Sequence, residues 1–198
     1  NFLSPIFLRE AAFLVPASSS TGRYIPELQH TNSMSNKTEI IDYKGNPTQV
    51  SCLGCARENE EMERTGTVLT AEHFDAHQDL EIPIPGFIII SARRHLQSVD
   101  EFADEEKIDF INTLTAVRAG MRKALNIDVV YLVQEEDTSH HFHVWVFPRY
   151  DWMVEQFGKK TPSLRPIMEY AREHLKTEGN LEKVEEAIAK LKTHLEAR

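Results

Sequence analysis

The sequence predicts an α+β fold, a mostly antiparallel sheet around one long helix, with a helical extension at the C-terminal end. Three patterns carry that expectation. Short apolar runs at 67–72, 74–77, 87–91, 129–133 and 142–147 have strand length and are bounded by turn residues. Between the third and fourth runs, Ile108, Ile111, Leu114, Val117, Met121 and Leu125 recur at spacings of three and four, the apolar stripe of a helix. Beyond Arg149 strand patterning gives way to two helical stretches, 162–176 and 181–197.

Each element has a local reason. Residues 1–33 are rich in Pro and Ser with no sustained period, and no Met opens them. Met34-Ser35-Asn36-Lys37 reads like an ordinary start, so the folded protein is expected to begin near Met34, after a leader or non-native segment. A polar lead-in, 36–49, precedes the turn Cys52-Leu53-Gly54-Cys55. Pro83 and Pro85 stiffen the 79–86 stretch into a loop before the buried strand 87–91. Ser98 with Glu101 three residues on forms a capping box for the main helix, which Asn126 closes. Gly179-Asn180 is expected to separate the two C-terminal helices. In the second of these, Leu181, Val184, Ile188, Leu191 and Leu195 form a narrow seam that fits a neighbouring helix, the core or a dimer partner. The expected domains are therefore 34–155 for the α+β unit and 156–198 for the extension.

The chain has 198 residues, 41% hydrophobic and 27% charged, with a formal net charge of −9. That is an ordinary globular composition. An acidic chain without a basic block is a poor match for coating nucleic-acid phosphates, whereas a small anion can still be held by a few local donors. Two cysteines imply no disulfide scaffold. No apolar run approaches the ~20 residues that span a bilayer, and Arg9 and Glu10 interrupt the one stretch resembling a signal peptide. A cytoplasmic protein is expected.

The chemistry concentrates at Thr138-Ser139-His140-His141-Phe142-His143-Val144-Trp145. On a strand, His141, His143, Trp145 and Phe147 share one face, and Phe142, Val144 and Val146 share the other, which reads as core. The two imidazoles then sit about 7 Å apart along the strand. A core strand has no packing reason to carry three histidines in four residues; an incidental His-rich strand is the bland alternative. Cys52-x-x-Cys55 fits either a dithiol redox motif or half of a zinc site, or it is two structural thiols. His95, at the end of one strand, and His141, at the start of another, are placed to complete a tetrahedral, structural site. His143 is then left for nucleophilic work: neutral imidazole attacks phosphorus through one nitrogen when an acceptor holds the other. Asp79 suits vicinal ribose hydroxyls, with Leu80 or Ile82 against a base; a solvated loop aspartate or turn cap is the plainer reading.

Together these residues resemble the histidine triad superfamily. Its hallmark alternates three histidines with apolar residues and often ends in Pro-Arg; here it reads His141-Phe142-His143-Val144-Trp145-Val146-Phe147-Pro148-Arg149. The run Pro85-Gly86-Phe87-Ile88-Ile89-Ile90-Ser91-Ala92-Arg93-Arg94-His95 looks like the family's strand and turn before its distant histidine. The likeness covers roughly 52–149. It implies a five-stranded-type antiparallel sheet with one long helix, a homodimer, nucleotide ligands and a covalent nucleotidyl-histidine intermediate. It also implies His143 as nucleophile, and Cys52, Cys55, His95 and His141 as zinc ligands. The likeness puts Asp79 at the ribose and Thr138 near phosphate; Leu80, Ser139 and Trp145 are expected beside them in the nucleotide site. Two residues depart from the pattern. Trp145 replaces the third histidine, a position that is Gln in hexose-1-phosphate uridylyltransferases and dinucleoside polyphosphate phosphorylases, and Phe87 replaces the usual His after Pro-Gly.

Three functions follow as expectations. The first is a nucleotide phosphoanhydride hydrolase or nucleotidyl transferase, with a dinucleoside tetraphosphate the first substrate to try. The second is a nucleotide-binding sensor in which Trp145 has abolished turnover. The third is a dithiol redox protein.

Overall fold

The computed structural model describes residues 37–137 and 141–197. All lie in the unit Ser35–Arg198; the expected leader 1–33 and the residues Thr138 and Ser139 fall outside the described set. A five-stranded antiparallel sheet is the centre of the fold. Its strands are β3 (Thr67–Thr70), β4 (Phe74–Gln78), β5 (Ile88–Ala92), β6 (Val130–Val133) and β7 (His143–Pro148), in spatial order β3-β4-β5-β7-β6. A separate hairpin, β1 (Thr38–Ile41) with β2 (Pro47–Val50), precedes it where the sequence suggests only a polar lead-in. These strands are short and mostly exposed, so they carry little apolar alternation to read.

Both faces of the sheet are covered. Phe74, Ala76, Ile88, Ile90, Val144 and Val146 point to one side, where they meet the long helix α2 (Asp104–Leu125) and the last helix α5 (Glu178–Glu196). On the other side Ile89, Trp145 and Phe147 meet the 79–86 loop, α3 (Asp151–Phe157) and α4 (Leu164–His174). The alternation expected for the His-rich strand is therefore real, with one qualification. Its non-histidine face is core as expected, but the strand begins at His143, so His141 sits just before it.

The helices depart from the sequence reading in instructive ways. Ser98 and Glu101 do meet, with the Ser98 N–H donating to the Glu101 carboxylate at 3.0 Å, but they close a separate 3-10 turn, Val99–Glu101. Extended backbone at Phe102 then resets the chain, and α2 starts at Asp104. Asn126 ends it in the left-handed conformation, as expected. The buried face of α2 is Glu106, Thr113, Val117, Gly120 and Met121, whereas Ile108 and Ile111 are 62% and 52% exposed. The rotation has a cause in α5. A Cβ added at Gly120 would stand 3.1 Å from Leu191 Cδ2, so the bare glycine is what lets α5 lie close against α2. Leu191 and Leu195 thereby join Val117, Met121 and Phe74 in the core, which resolves the open question of the C-terminal seam. Gly179 and Asn180 are not the break between the last helices. They lie in the first turn of α5, and the break falls at 175–177. The Asn180 amide donates instead to Pro83 O at 2.6 Å and Leu175 O at 2.8 Å, pinning the helix start to the 79–86 loop. Residues between Leu164 and Leu195 thus contribute to both cores.

Candidate functional site

Cys52 caps the short helix α1 (Leu53–Glu58), and Cys55 lies one turn in, so their sulfurs face the same side. The ends of β5 and β7 bring two histidines to meet them. Cys52 Sγ lies 3.3 Å from His141 Nδ1 and 3.7 Å from His95 Nδ1; Cys55 Sγ lies 3.2 Å from His95 Nδ1 and 3.7 Å from His141 Nδ1. All four donor atoms fall within 4.8 Å of one another. A tetrahedral zinc ion bound through two thiolates and two imidazoles sets sulfur and nitrogen about 3.5 Å apart. The four groups are compatible with zinc.

The surroundings favour a metal over a redox pair. His141 is buried and donates Nε2–H to Ala92 O at 2.6 Å, which leaves Nδ1 with its lone pair toward the sulfurs. Burial holds its pKa below the ordinary histidine value, keeping it a neutral ligand. Burial, reinforced by the neighbouring Cys52 sulfur, pushes the Cys55 thiol up to about 11, and a bound metal would have to displace its proton. Gly54 completes the cradle, since a Cβ there would stand 2.5 Å from the His141 ring. Glu58 fastens α1 to the sheet by accepting from Arg93 Nε at 2.9 Å and Arg64 at 3.1 Å.

Beside the cluster runs a cavity of about 410 Å³, bounded by the β1–β2 hairpin, α1, the cleft face of the sheet, the 79–86 loop and α4. His143 lines it. Its Nδ1–H donates to the backbone oxygen of His141 at 3.0 Å, so Nε2 carries the lone pair. In the ladder His143 lies opposite Ser91, and Trp145 opposite Ile89, which in turn faces His77. His77 is buried, donates Nδ1–H to Gln78 O at 3.0 Å, and is held neutral by burial and the nearby Arg57, its pKa down to about 3.

Asp79 and Leu80 line the same cavity. Asp79 Oδ1 accepts from the Glu81 N–H at 2.9 Å and the Ile82 N–H at 2.7 Å, so it does cap its turn. Burial pushes its pKa up to about 6 against those donors. Gln78 shapes the rest of the loop by donating to Ile84 O at 2.9 Å and accepting from the Gly86 N–H at 3.0 Å. Trp145 is 8% exposed and packs edge-on against Phe87, with 6.0 Å between ring centres. Phe87 at the usual histidine position is thus part of the apolar support beneath Trp145.

The sequence reading missed several lining residues. Arg57 and His77 carried no motif. Arg165, Met168 and Arg172 on α4 have the spacing of one helical face, but nothing in the sequence says that this face turns to the cavity.

The five-stranded antiparallel sheet with a long helix on one face matches the fold of solved histidine triad proteins. Two solved structures carry the comparison. A zinc-bound histidine triad family protein from Mycobacterium smegmatis aligns over 75% of this chain and 98% of its own, with a TM-score of 0.53 and 17% identity. A hypothetical histidine triad nucleotide-binding protein from Sulfolobus tokodaii aligns over 74% and 93%, with a TM-score of 0.53 and 18% identity. In sequence, the chain is 30% identical over 138 residues to galactose-1-phosphate uridylyltransferase from Thermotoga maritima. That match takes in 61% of this chain and 43% of the relative, so the chain spans less than half of that enzyme. No family model matches the chain. Among the described residues no helix is long and apolar enough to cross a membrane.

The cluster predicts the effect of a single methyl group. Gly54→Ala is expected to displace the His141 ring and cut bound zinc, measured by elemental analysis of purified protein, well below the one equivalent per chain expected for the parent. Full zinc retention in the variant would contradict the tight cradle.

Proposed function

We propose that this protein is a nucleotide phosphoanhydride hydrolase or nucleotidyl transferase that works through a nucleotidyl-His143 intermediate, with dinucleoside polyphosphates as first substrates to test. The observation that carries the reading is the tautomer of His143. Its Nδ1–H is fixed by His141 O, and its Nε2 lone pair belongs to a cavity that also contains Asp79. Similarity to a uridylyltransferase supports transfer of a nucleotidyl group over other phosphate chemistry.

In the proposed first step, the Nε2 lone pair attacks the α-phosphorus. A P–N bond forms, the bridging P–O bond breaks, and its electron pair leaves with the departing phosphate, which takes up a proton. In the second step, water or an acceptor hydroxyl attacks phosphorus and loses its proton. The P–N bond breaks, and its pair returns to Nε2. Asp79 Oδ2, which bonds no described residue, is assigned to the ribose hydroxyls, Leu80 to the base, and Thr138 and Ser139 to the phosphate. Cys52, Cys55, His95 and His141 are assigned to a zinc ion that anchors α1 to the sheet and takes no part in the chemistry.

The second reading, a nucleotide sensor without turnover, is favoured by one observation: Trp145 brings a buried indole to the position beside His143, 6.4 Å between ring centres. Intact-mass measurement separates the two. The enzyme gives a nucleotidyl adduct that disappears in His143→Ala, with turnover lowered by roughly a thousand-fold or more. The sensor binds nucleotide with neither adduct nor turnover.

Asp79 adds a pH dependence. Its folded pKa of about 6 lies above the ordinary 3.8, so its contribution to stability is full below about pH 4 and lost as the pH rises through 6. Ribose binding runs the other way, because the ionised carboxylate is the better acceptor. Nucleoside affinity is expected to weaken as the pH falls from 7 to 5, and Asp79→Asn to flatten that profile. An unchanged slope in the variant would remove Asp79 from the ribose site.

Homodimerisation belongs to the same proposal. Ile108 and Ile111 on α2 are exposed, and Leu132 on the edge strand β6, 54% exposed, pairs with Val146 and so projects to the α2 side of the sheet. Light scattering at micromolar concentration should give twice the chain mass, and Ile111→Glu should halve it; a monomeric parent would refute the dimer.

A further inference from the structure

Position 145 cannot supply what a phosphate needs. An indole offers one N–H and no charge. The group lying over it can. Arg165, in the first turn of α4, places its guanidinium carbon 4.9 Å from the centre of the Trp145 ring, and both residues line the cavity with His143. A guanidinium over an indole face is attracted to the ring and keeps N–H donors for oxygen acceptors. Glu135, in the loop that leads to β7, engages Arg165 through Nη2, which occupies only part of a five-donor group.

The rest of the cleft carries both signs, Asp79 and Glu81 as well as two further guanidiniums. Met168 and Arg172 follow Arg165 on the same face of α4, and Arg172 lies 3.8 Å from the Glu81 carboxylate. From α1, Arg57 is buried; among the described residues it donates to Thr67 Oγ1 at 3.0 Å and Thr65 O at 3.4 Å and forms no ion pair. Three guanidiniums thus border one cavity in a chain of net charge −9. A cation resting on an indole beside a reactive imidazole is well placed for bidentate contact with a phosphate.

We propose that Arg165 is the phosphate-binding group of the cleft, carried by α4 and stacked on Trp145, and that it recognises the phosphate oxygens of nucleoside 5′-diphosphates. This rests on the nucleotide reading above, and calorimetric titration of the full chain keeps the two apart. The probes are adenosine, ADP, uridine and UDP, against the parent, Arg165→Gln and Arg165→Lys. The parent prefers diphosphate over nucleoside. In Arg165→Gln that preference is expected to fall about 10- to 100-fold with nucleoside affinity, melting temperature and zinc content unchanged. Arg165→Lys should keep part of the preference, and it reads the same ratio if the Gln variant proves unstable. An unchanged preference, or an equal loss for nucleosides and diphosphates, overturns the assignment alone. A parent that binds neither diphosphate overturns the nucleotide reading and this one with it.

Discussion

His141 is the joint on which the rest of the site depends. Three of its polar groups are committed, and each commitment fixes a different part of the molecule. Nδ1 faces the two sulfurs at 3.3 and 3.7 Å, Nε2–H is held by Ala92 O at 2.6 Å, and its backbone oxygen accepts Nδ1–H of His143 at 3.0 Å. The side chain therefore ties α1 to the end of β5, and the main chain sets the tautomer of the imidazole two residues on. Moving the His141 backbone would disturb the cluster and His143 together. A methyl group at Gly54, by contrast, meets the ring first.

The sheet makes that arrangement possible by being closed on one face and partly open on the other. Burial of Phe142, Val144 and Val146 against α2 and α5 fixes which way β7 faces, so His143 and Trp145 have to project to the opposite side. A one-residue slip would exchange the two sets, and the apolar set is what prevents it. On the cleft side the covering is made of separate pieces, a hairpin, a loop and α4, and the cavity is the space they leave. The C-terminal helices thus do two jobs: α5 completes the core, while α4 forms a wall of the cleft.

The sequence was most legible where one physical rule acted alone. Strand alternation put His143 and Trp145 on a common face, and the donor chemistry of Cys52, Cys55, His95 and His141 brought together four residues spread over 90 positions. It was least legible where tertiary contacts overrode local pattern. Ile108 and Ile111 fit the helical stripe, yet they are exposed because α5, drawn in at Gly120, claims a different face of α2. Gly179-Asn180 has the chemistry of a helix break, but the Asn180 amide reaches the 79–86 loop instead. The Asp79 stretch fits either a turn cap or a ribose ligand, and one carboxylate oxygen caps the turn while the residue lines the cavity. Arg165 left no local signal, because its place depends on how α4 packs over Trp145.

Chemistry at His143 requires that Trp145 leave room for a phosphate beside it. A crystal structure with bound ADP or UDP tests it most directly. Phosphorus is expected about 3–3.5 Å from His143 Nε2, with the ribose at Asp79 and phosphate oxygens against Arg165. A ligand held away from His143 by the Trp145 indole, or an empty cavity at saturating nucleotide, would contradict it.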